Sequence, residues 1–247
     1  MVNPRRFCYN NTMERYLYYF LAIAVFVLSL IAQSHVQRVF QTYAQQPAKS
    51  GVPACALAEQ LLRKNGLSLP VTRVSGSLTD HYDPKSEVVG LSEAVYDSAS
   101  VSALAVAAHE IGHVLQHQED YAPMRFRNVI LPVANIGCRF GPLIVIGGLL
   151  LSWLTDWAGN AGYYIAMGGV VLYAVMLLFQ VVTLPVEFNA SRRGLSMLTE
   201  GGYLQEDELP GAKKMLRAAA MTYLLAALGS LITVLRLFTI ARGAKRR

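Results

Sequence analysis

At 247 residues the chain is long enough for one or two domains, and it is 53% hydrophobic and only 15% charged, against roughly 25% charged in soluble domains. Its apolar residues come in blocks, which excludes an ordinary soluble domain and points to a membrane protein with a polar insert. The net charge of +6 rests on basic residues that mostly flank those blocks, so it implies the anionic headgroups of a lipid bilayer as partner and no nucleic acid. Cys8, Cys55 and Cys138 have no C-x-x-C spacing and supply neither a disulfide framework nor a zinc knuckle. They read as unpaired thiols with no catalytic role.

Residues 1–15 are polar and include Arg5, Arg6 and Arg15. Tyr16 to Ala32 is uncharged and just long enough to cross a hydrocarbon core, which takes about 17–25 residues. A basic flank before an apolar run also describes a signal peptide. This run is longer than a signal core, however, and Leu30-Ile31-Ala32 lacks a small residue at the −3 position. Residues 1–32 therefore read as a polar segment and an uncleaved first anchor, with Tyr16, Tyr18 and Tyr19 at one interface. His35, just past the run, reads as an interfacial histidine rather than a metal ligand.

Residues 33–125 form a polar α+β insert. Pro53 to Asn65 predicts an amphipathic helix whose apolar stripe is Ala54, Leu57, Ala58, Leu61 and Leu62, ended by Asn65-Gly66. Val71 to Leu78 and Glu87 to Leu91 predict two short strands joined by the turn-rich Thr79-Asp80-His81-Tyr82-Asp83-Pro84. A strand before a metal-binding helix can hold an extended peptide by its free edge. Ser98 or Ser100 can cap the next helix, which has no breaker from Val101 to Ile111 and contains His109-Glu110-Ile111-Gly112-His113.

That H-E-x-x-H sequence carries chemistry when it is helical. Residues four apart share a helix face, so His109 and His113 can present two imidazoles to one Zn²⁺ ion. Glu110 then lies beside the ion, where a carboxylate can take a proton from an activated water. The alternative is two hydrogen-bonded histidines with an unrelated glutamate.

After Gln118 the chain is apolar but interrupted by Pro123, Pro132 and Pro142, with Arg125, Arg127 and Arg139 among them. Residues 126–184 read as a membrane-proximal segment followed by a transmembrane hairpin. Its spans are about Gly141–Trp157 and Tyr163–Leu184, joined by a loop with Asp156, Gly159 and Asn160. Gly147-Gly148 and Gly168-Gly169 would let helices approach closely. Residues 185–217 read as a new helix, with Pro185 in its first turn, and a polar loop. Residues 218–247 hold the last span, to about Leu235, with Arg236 able to snorkel, and a basic tail of Arg242, Lys245, Arg246 and Arg247.

The extended H-E-x-x-H-x-x-G-x-x-H pattern fails, because Gln116 stands at its Gly position and Glu119 at its last His. His117 is one turn past His113, but a straight helix rarely curls three ligands around one ion. Glu187 is the better third ligand, an expensive charge close to a long apolar run. The alternative is an interfacial glutamate paired with Arg192 or Arg193. Two histidines and a glutamate leave zinc an open position, as hydrolysis needs.

Three separated motifs now carry a resemblance. Ala107-Ala108-His109-Glu110-Ile111-Gly112-His113, Leu78-Thr79-Asp80-His81-Tyr82-Asp83-Pro84 with Leu91-Ser92-Glu93, and Glu187-Phe188-Asn189-Ala190-Ser191-Arg192-Arg193 resemble the YugP-type neutral zinc metallopeptidases of bacterial membranes. The likeness runs from the first span to the last. It implies a gluzincin-type site with His109, His113 and Glu187 on one zinc per chain and Glu110 as catalytic base. In similar membrane peptidases the glutamate helix carries an Asp four residues on that holds a zinc histidine. Here that position is Ser191, a weaker acceptor, so Asn189, Ser191 or another group must orient the histidine.

The expected fold class is mainly α and integral to the membrane, with about four transmembrane helices and a small α+β zincin-like catalytic insert. The expected function is a zinc metalloendopeptidase that hydrolyses protein or peptide substrates, membrane proteins among them, with a zinc-activated water and Glu110 as general base. The alternative is a non-catalytic zinc-containing membrane scaffold or adaptor. A transporter is disfavoured because the first, third and last spans lack internal charge. His117, Tyr121 and Arg192 are candidates for oxyanion stabilisation. His81 is expected to be held by Asp80 or Asp83; the alternatives are a transient fourth zinc ligand that blocks the site or a substrate-binding donor. Those two carboxylates could also bind a cation, a weak signal.

The loop between the second and third spans lacks Lys and Arg, whereas the segment after the third has Arg192, Arg193, Lys213, Lys214 and Arg217. The positive-inside rule therefore places the active site of this multi-pass cell-membrane protein on the cytoplasmic side, although the basic tail pulls the other way.

Overall fold

Seven helices and three strands follow one another as α1 Pro4–Ala44, α2 Ala54–Lys64, β1 Val71–Val74, β2 His81–Asp83, β3 Val88–Ser92, α3 Glu93–Tyr96, α4 Val101–Gln118, α5 Ala122–Leu154, α6 Ala161–Glu200 and α7 Leu209–Ala244 among the described residues. This computed structural model describes the backbone of residues 4–154 and 160–244, and the side chains of residues 16–154 and 160–242. The expected contributions of Arg5, Arg6, Cys8, Arg15, Asp156, Trp157, Gly159 and the terminal Lys245, Arg246 and Arg247 lie outside it. Four helices are long and apolar enough to cross a membrane, over Tyr16–Ala44, Ala122–Leu154, Ala161–Glu200 and Leu209–Arg242.

The chain divides into two compact units. The first comprises Met1–Ile31, Arg127–Val182 and Tyr223–Arg247. Its small core holds Val145, Ala166, Val170, Leu237 and Ala241, while Phe20, Ile23, Phe26, Val129 and Trp153 are exposed. Apolar exposure on this scale is what helices facing lipid present. Within the unit, a Cβ on Gly148 would lie 2.5 Å from the Ala166 nitrogen, and one on Gly169 would lie 2.6 Å from the Gly141 carbonyl. Gly148 and Gly169 thus allow close approach, whereas Gly147 and Gly168 meet nothing within 4 Å. Arg236 lies 4.6 Å from the ring centre of Tyr19, a cation–π contact that stabilises its charge beside the apolar run.

The second unit comprises Ala32–Phe126 and Thr183–Thr222. The stripe Ala54, Leu57, Ala58, Leu61 and Leu62 of α2 is buried, and α2 packs against α4. α4 itself is buried on almost every side, and its first turn is capped by Ser100, whose Oγ accepts from the Ala103 N–H at 3.3 Å.

The sheet differs from expectation in two elements, and the first is β1, which ends at Val74 rather than Leu78. The connection that reads as a turn contains β2, giving three strands in the order β1-β3-β2, with β1 parallel and β2 antiparallel to β3. Its pairs are His81↔Gly90, Tyr82↔Val89 and Asp83↔Val88. Turn-forming Asp and Pro around one buried aromatic, Tyr82, mask so short a strand in the sequence.

The proline readings also need correction. Pro132 and Pro142 lie inside an unbroken α5, and Pro185 lies inside an unbroken α6 rather than in the first turn of a new helix. Apolar surroundings favour closing the remaining helical hydrogen bonds over exposing backbone groups, so these prolines do not end the helices. α1 also runs past Ala32 to Ala44, and α7 starts at Leu209, well before Ala218.

Candidate metal centre

α4 and α6 meet at backbone contact. A Cβ on Gly112 would lie 2.5 Å from the Ala190 carbonyl oxygen, and one on Gly194 would lie 3.0 Å from the Ala108 carbonyl carbon. These two glycines, one inside H-E-x-x-H and one a turn beyond Ala190, set the distance between the helices. The result carries Glu187 of α6 to the two histidines of α4.

Among the described residues, one ligand atom each from His109, His113 and Glu187 lie within 4.8 Å of one another, and the three could hold a metal ion. Glu187 Oε2 is 3.3 Å from His109 Nε2 and 3.6 Å from His113 Nε2. A tetrahedral zinc site with bonds near 2.0–2.1 Å has ligand-to-ligand edges of about 3.3 Å, so the two Glu187–histidine separations are close to that spacing and the donor chemistry suits the ion. The imidazoles stand nearly perpendicular, at 82°. Glu187 is only 3% exposed, which makes its carboxylate too costly to bury without cationic or hydrogen-bonding partners.

The outward nitrogens of both rings are engaged. Ser191 Oγ lies 3.1 Å from His109 Nδ1, within direct hydrogen-bonding distance. His113 Nδ1 lies 3.0 Å from Gln116 Oε1. The Gln116 amide nitrogen donates to the Val186 carbonyl at 2.8 Å and to Asn189 Oδ1 at 2.9 Å. Arg193 Nε donates to the same Asn189 oxygen at 2.8 Å, and its two terminal nitrogens bind Glu119 at 2.7 Å each.

This chain of hydrogen bonds determines where a proton sits. A carbonyl can only accept and a guanidinium can only donate, so Val186 and Arg193 leave the Gln116 and Asn189 amides one consistent orientation. Gln116 must turn its oxygen to His113, and neutral His113 must carry its hydrogen on Nδ1. Its Nε2 lone pair then faces Glu187, as a metal ligand requires. Ser191 is a hydroxyl that can donate or accept, so the tautomer of His109 is not determined in this way.

Gln116 went unrecognised in the sequence except as a departure from a longer motif. The available signal was a polar residue at i+3 from His113 on an otherwise apolar helix. Glu110 is buried, and that burial holds its carboxyl above the usual range; His109 and His113 nearby oppose the shift, while Glu187 adds to it. Burial lowers the His113 imidazole, but the Glu187 and Glu110 carboxylates beside it and its Gln116 contact together outweigh that and raise it above the ordinary histidine value.

The other candidates have surroundings of their own. His117 Nδ1 pairs with the Tyr82 hydroxyl at 2.8 Å, and burial pushes that phenol up to about 12. Tyr121 packs against the core of its unit, and Arg192 is exposed. His81 is exposed, and its Nδ1 hydrogen-bonds the Thr79 carbonyl at 2.9 Å rather than Asp80 or Asp83. Both carboxylates accept hydrogen bonds from backbone N–H groups. Asp80 accepts from the Ser92 N–H at 2.7 Å, and burial raises its pKa. Asp83 accepts from the Lys85 N–H at 3.0 Å and the Ser86 hydroxyl at 2.6 Å.

The chain is also similar to known proteins. Residues 18–242 match the model of a family described as "Putative neutral zinc metallopeptidase". The chain is 44% identical over 225 residues to "Putative membrane protease YugP" of Bacillus subtilis (strain 168), an alignment spanning 91% of this chain and 96% of the relative. No solved structure matches. With a family match over most of its length and two imidazoles and a buried carboxylate converging between α4 and α6, the chain belongs to this zinc metallopeptidase family.

Proposed function

We propose that this protein is a multi-pass membrane zinc endopeptidase of the gluzincin type, with a zincin-like α+β insert that faces the cytoplasm. His109, His113 and Glu187 hold the metal, and Glu110 is the general base. The observation that carries this reading is the convergence of two imidazole nitrogens and one carboxylate oxygen on a site one residue along the helix from a buried glutamate.

Zinc bound there would polarise the scissile carbonyl and acidify a water. Glu110 accepts that water's proton and passes it to the departing amine nitrogen. The charge of the ion would draw the Glu110 carboxyl down from its raised pKa, which keeps it ionised and basic. The edge strand β2, whose Tyr82 reaches His117 on α4, supplies free backbone groups for an extended peptide. The protein purified in detergent should cleave an unstructured protein substrate, stop on chelation and recover with added zinc. A folded, zinc-loaded protein with no hydrolysis of any peptide would refute the reading and favour a structural zinc.

Two results follow from the shell around the ligands. Gln116→Met keeps the volume but cannot accept the Nδ1–H bond, so zinc affinity should fall about 10–100-fold, measured by competition with a zinc-buffering chelator. The raised pKa of His113 means that a proton competes with the metal. Zinc affinity should therefore rise with pH through the ordinary histidine range and beyond it, with protons released on uptake, and a calorimetric titration in two buffers of different ionisation enthalpy would detect them.

A further inference from the structure

Away from the metal centre, the C-terminal part of α1 and the N-terminal part of α7 border a groove of about 460 Å³. Its walls include His35, Val39 and Tyr43 from α1, and Lys214, Arg217 and Met221 from α7. These residues recur at three- and four-residue intervals, so each helix turns a single face to the groove. The chemistry of the walls is mixed, with two cations and a histidine among aliphatic and aromatic surfaces, and no acidic residue lines it.

Lys214 and Arg217 are exposed and form no ion pair among the described residues. The nearest acids in sequence are already engaged. Asp207 pairs with Lys49 Nζ at 2.7 Å, and Glu208 accepts from the backbone N–H groups of Lys49 and Gln205 at 2.7 Å each. The positions matter as well. His35 follows the end of the uncharged run Tyr16–Ala32, and α7 has no charged residue between Arg217 and Arg236. The groove therefore lies where two apolar runs end, at the level of lipid headgroups.

We propose that this groove is a binding site for one anionic phospholipid. Lys214 and Arg217 hold its phosphate, and Ala218 and Met221, nearer the apolar run of α7, flank the upper part of an acyl chain. Cations without acidic partners beside apolar walls complement a phosphodiester attached to hydrocarbon, whereas a zwitterionic headgroup would set its own cation against the same side chains. The proposal does not depend on the hydrolytic activity.

The test is native mass spectrometry of the full chain in detergent, titrated with phosphatidylglycerol, phosphatidylcholine or glycerol phosphate. Phosphatidylglycerol should be retained preferentially at one copy per chain. The double substitution Lys214→Gln/Arg217→Gln should weaken it about 30-fold, at roughly fivefold for each basic group. Arg38→Gln/Lys213→Gln removes the same charge from exposed positions outside the groove lining, and should change affinity by no more than about twofold. Equal retention of phosphatidylcholine would overturn the proposal without any variant. Equal weakening by the two double substitutions would overturn it in favour of diffuse attraction. Competition by glycerol phosphate as strong as by the lipid would overturn it in favour of a soluble phosphate ligand.

Discussion

Glu110→Gln should reduce peptide hydrolysis by about 10²–10⁴-fold while leaving zinc content and fold intact. The substitution is nearly isosteric at a site that is 7% exposed, so it removes a proton acceptor without opening a cavity. It also replaces a carboxyl whose charge is disfavoured by burial with a neutral amide, so the folded protein should lose no stability. The measurements are a fluorogenic peptide assay at saturating zinc, metal analysis and a thermal unfolding curve on the same preparation. Full activity with zinc retained would remove Glu110 from the mechanism. Loss of zinc together with activity would instead make Glu110 a structural support of the site.

Glu187→Ala should abolish stoichiometric zinc. Loss of an orienting partner of a ligand costs about 10–100-fold in affinity, and loss of a ligand itself should exceed that. Glu187 Oε2 stands within 3.6 Å of both histidine Nε2 atoms, so its removal leaves two imidazoles that must find a third donor from solvent. The comparison is metal content of purified wild-type and variant protein after dialysis against a zinc buffer. Unchanged zinc would refute Glu187 as a ligand, whatever the effect on activity. Read together, the two variants separate binding from chemistry: Glu110→Gln keeps the metal and loses turnover, whereas Glu187→Ala loses both.

The histidine pair illustrates why so much of the site was legible in one dimension. An α-helix repeats every 3.6 residues, so His109 and His113 share a face wherever that helix is placed. The apolar stripe of α2 obeys the same geometry, and all five of its residues are buried. The apolar runs could be recognised because hydrocarbon solvent admits only helices of a certain length and composition, a requirement on content rather than on neighbours.

Where the reading missed, the deciding term was contact between distant segments. β2 is three residues long and exists because β3 lies beside it. Pro132, Pro142 and Pro185 break helices in water but not in α5 and α6, because surroundings decide the cost of an open backbone group. His81 has acidic neighbours on the chain, yet hydrogen-bonds to a backbone carbonyl. Gln116 gained its role from Val186 and Asn189, some seventy positions away.

The sequence by itself determined the pair of imidazoles, the adjacent glutamate and the apolar helices, because each depends on local period or composition. Only the tertiary structure decided how close Glu187 comes to the pair, which His113 tautomer Gln116 and Asn189 impose, and that Ser191 touches His109 directly. Those depend on the backbone approach of α4 and α6 at Gly112 and Gly194, where the absence of two side chains sets the distance across which every ligand must reach.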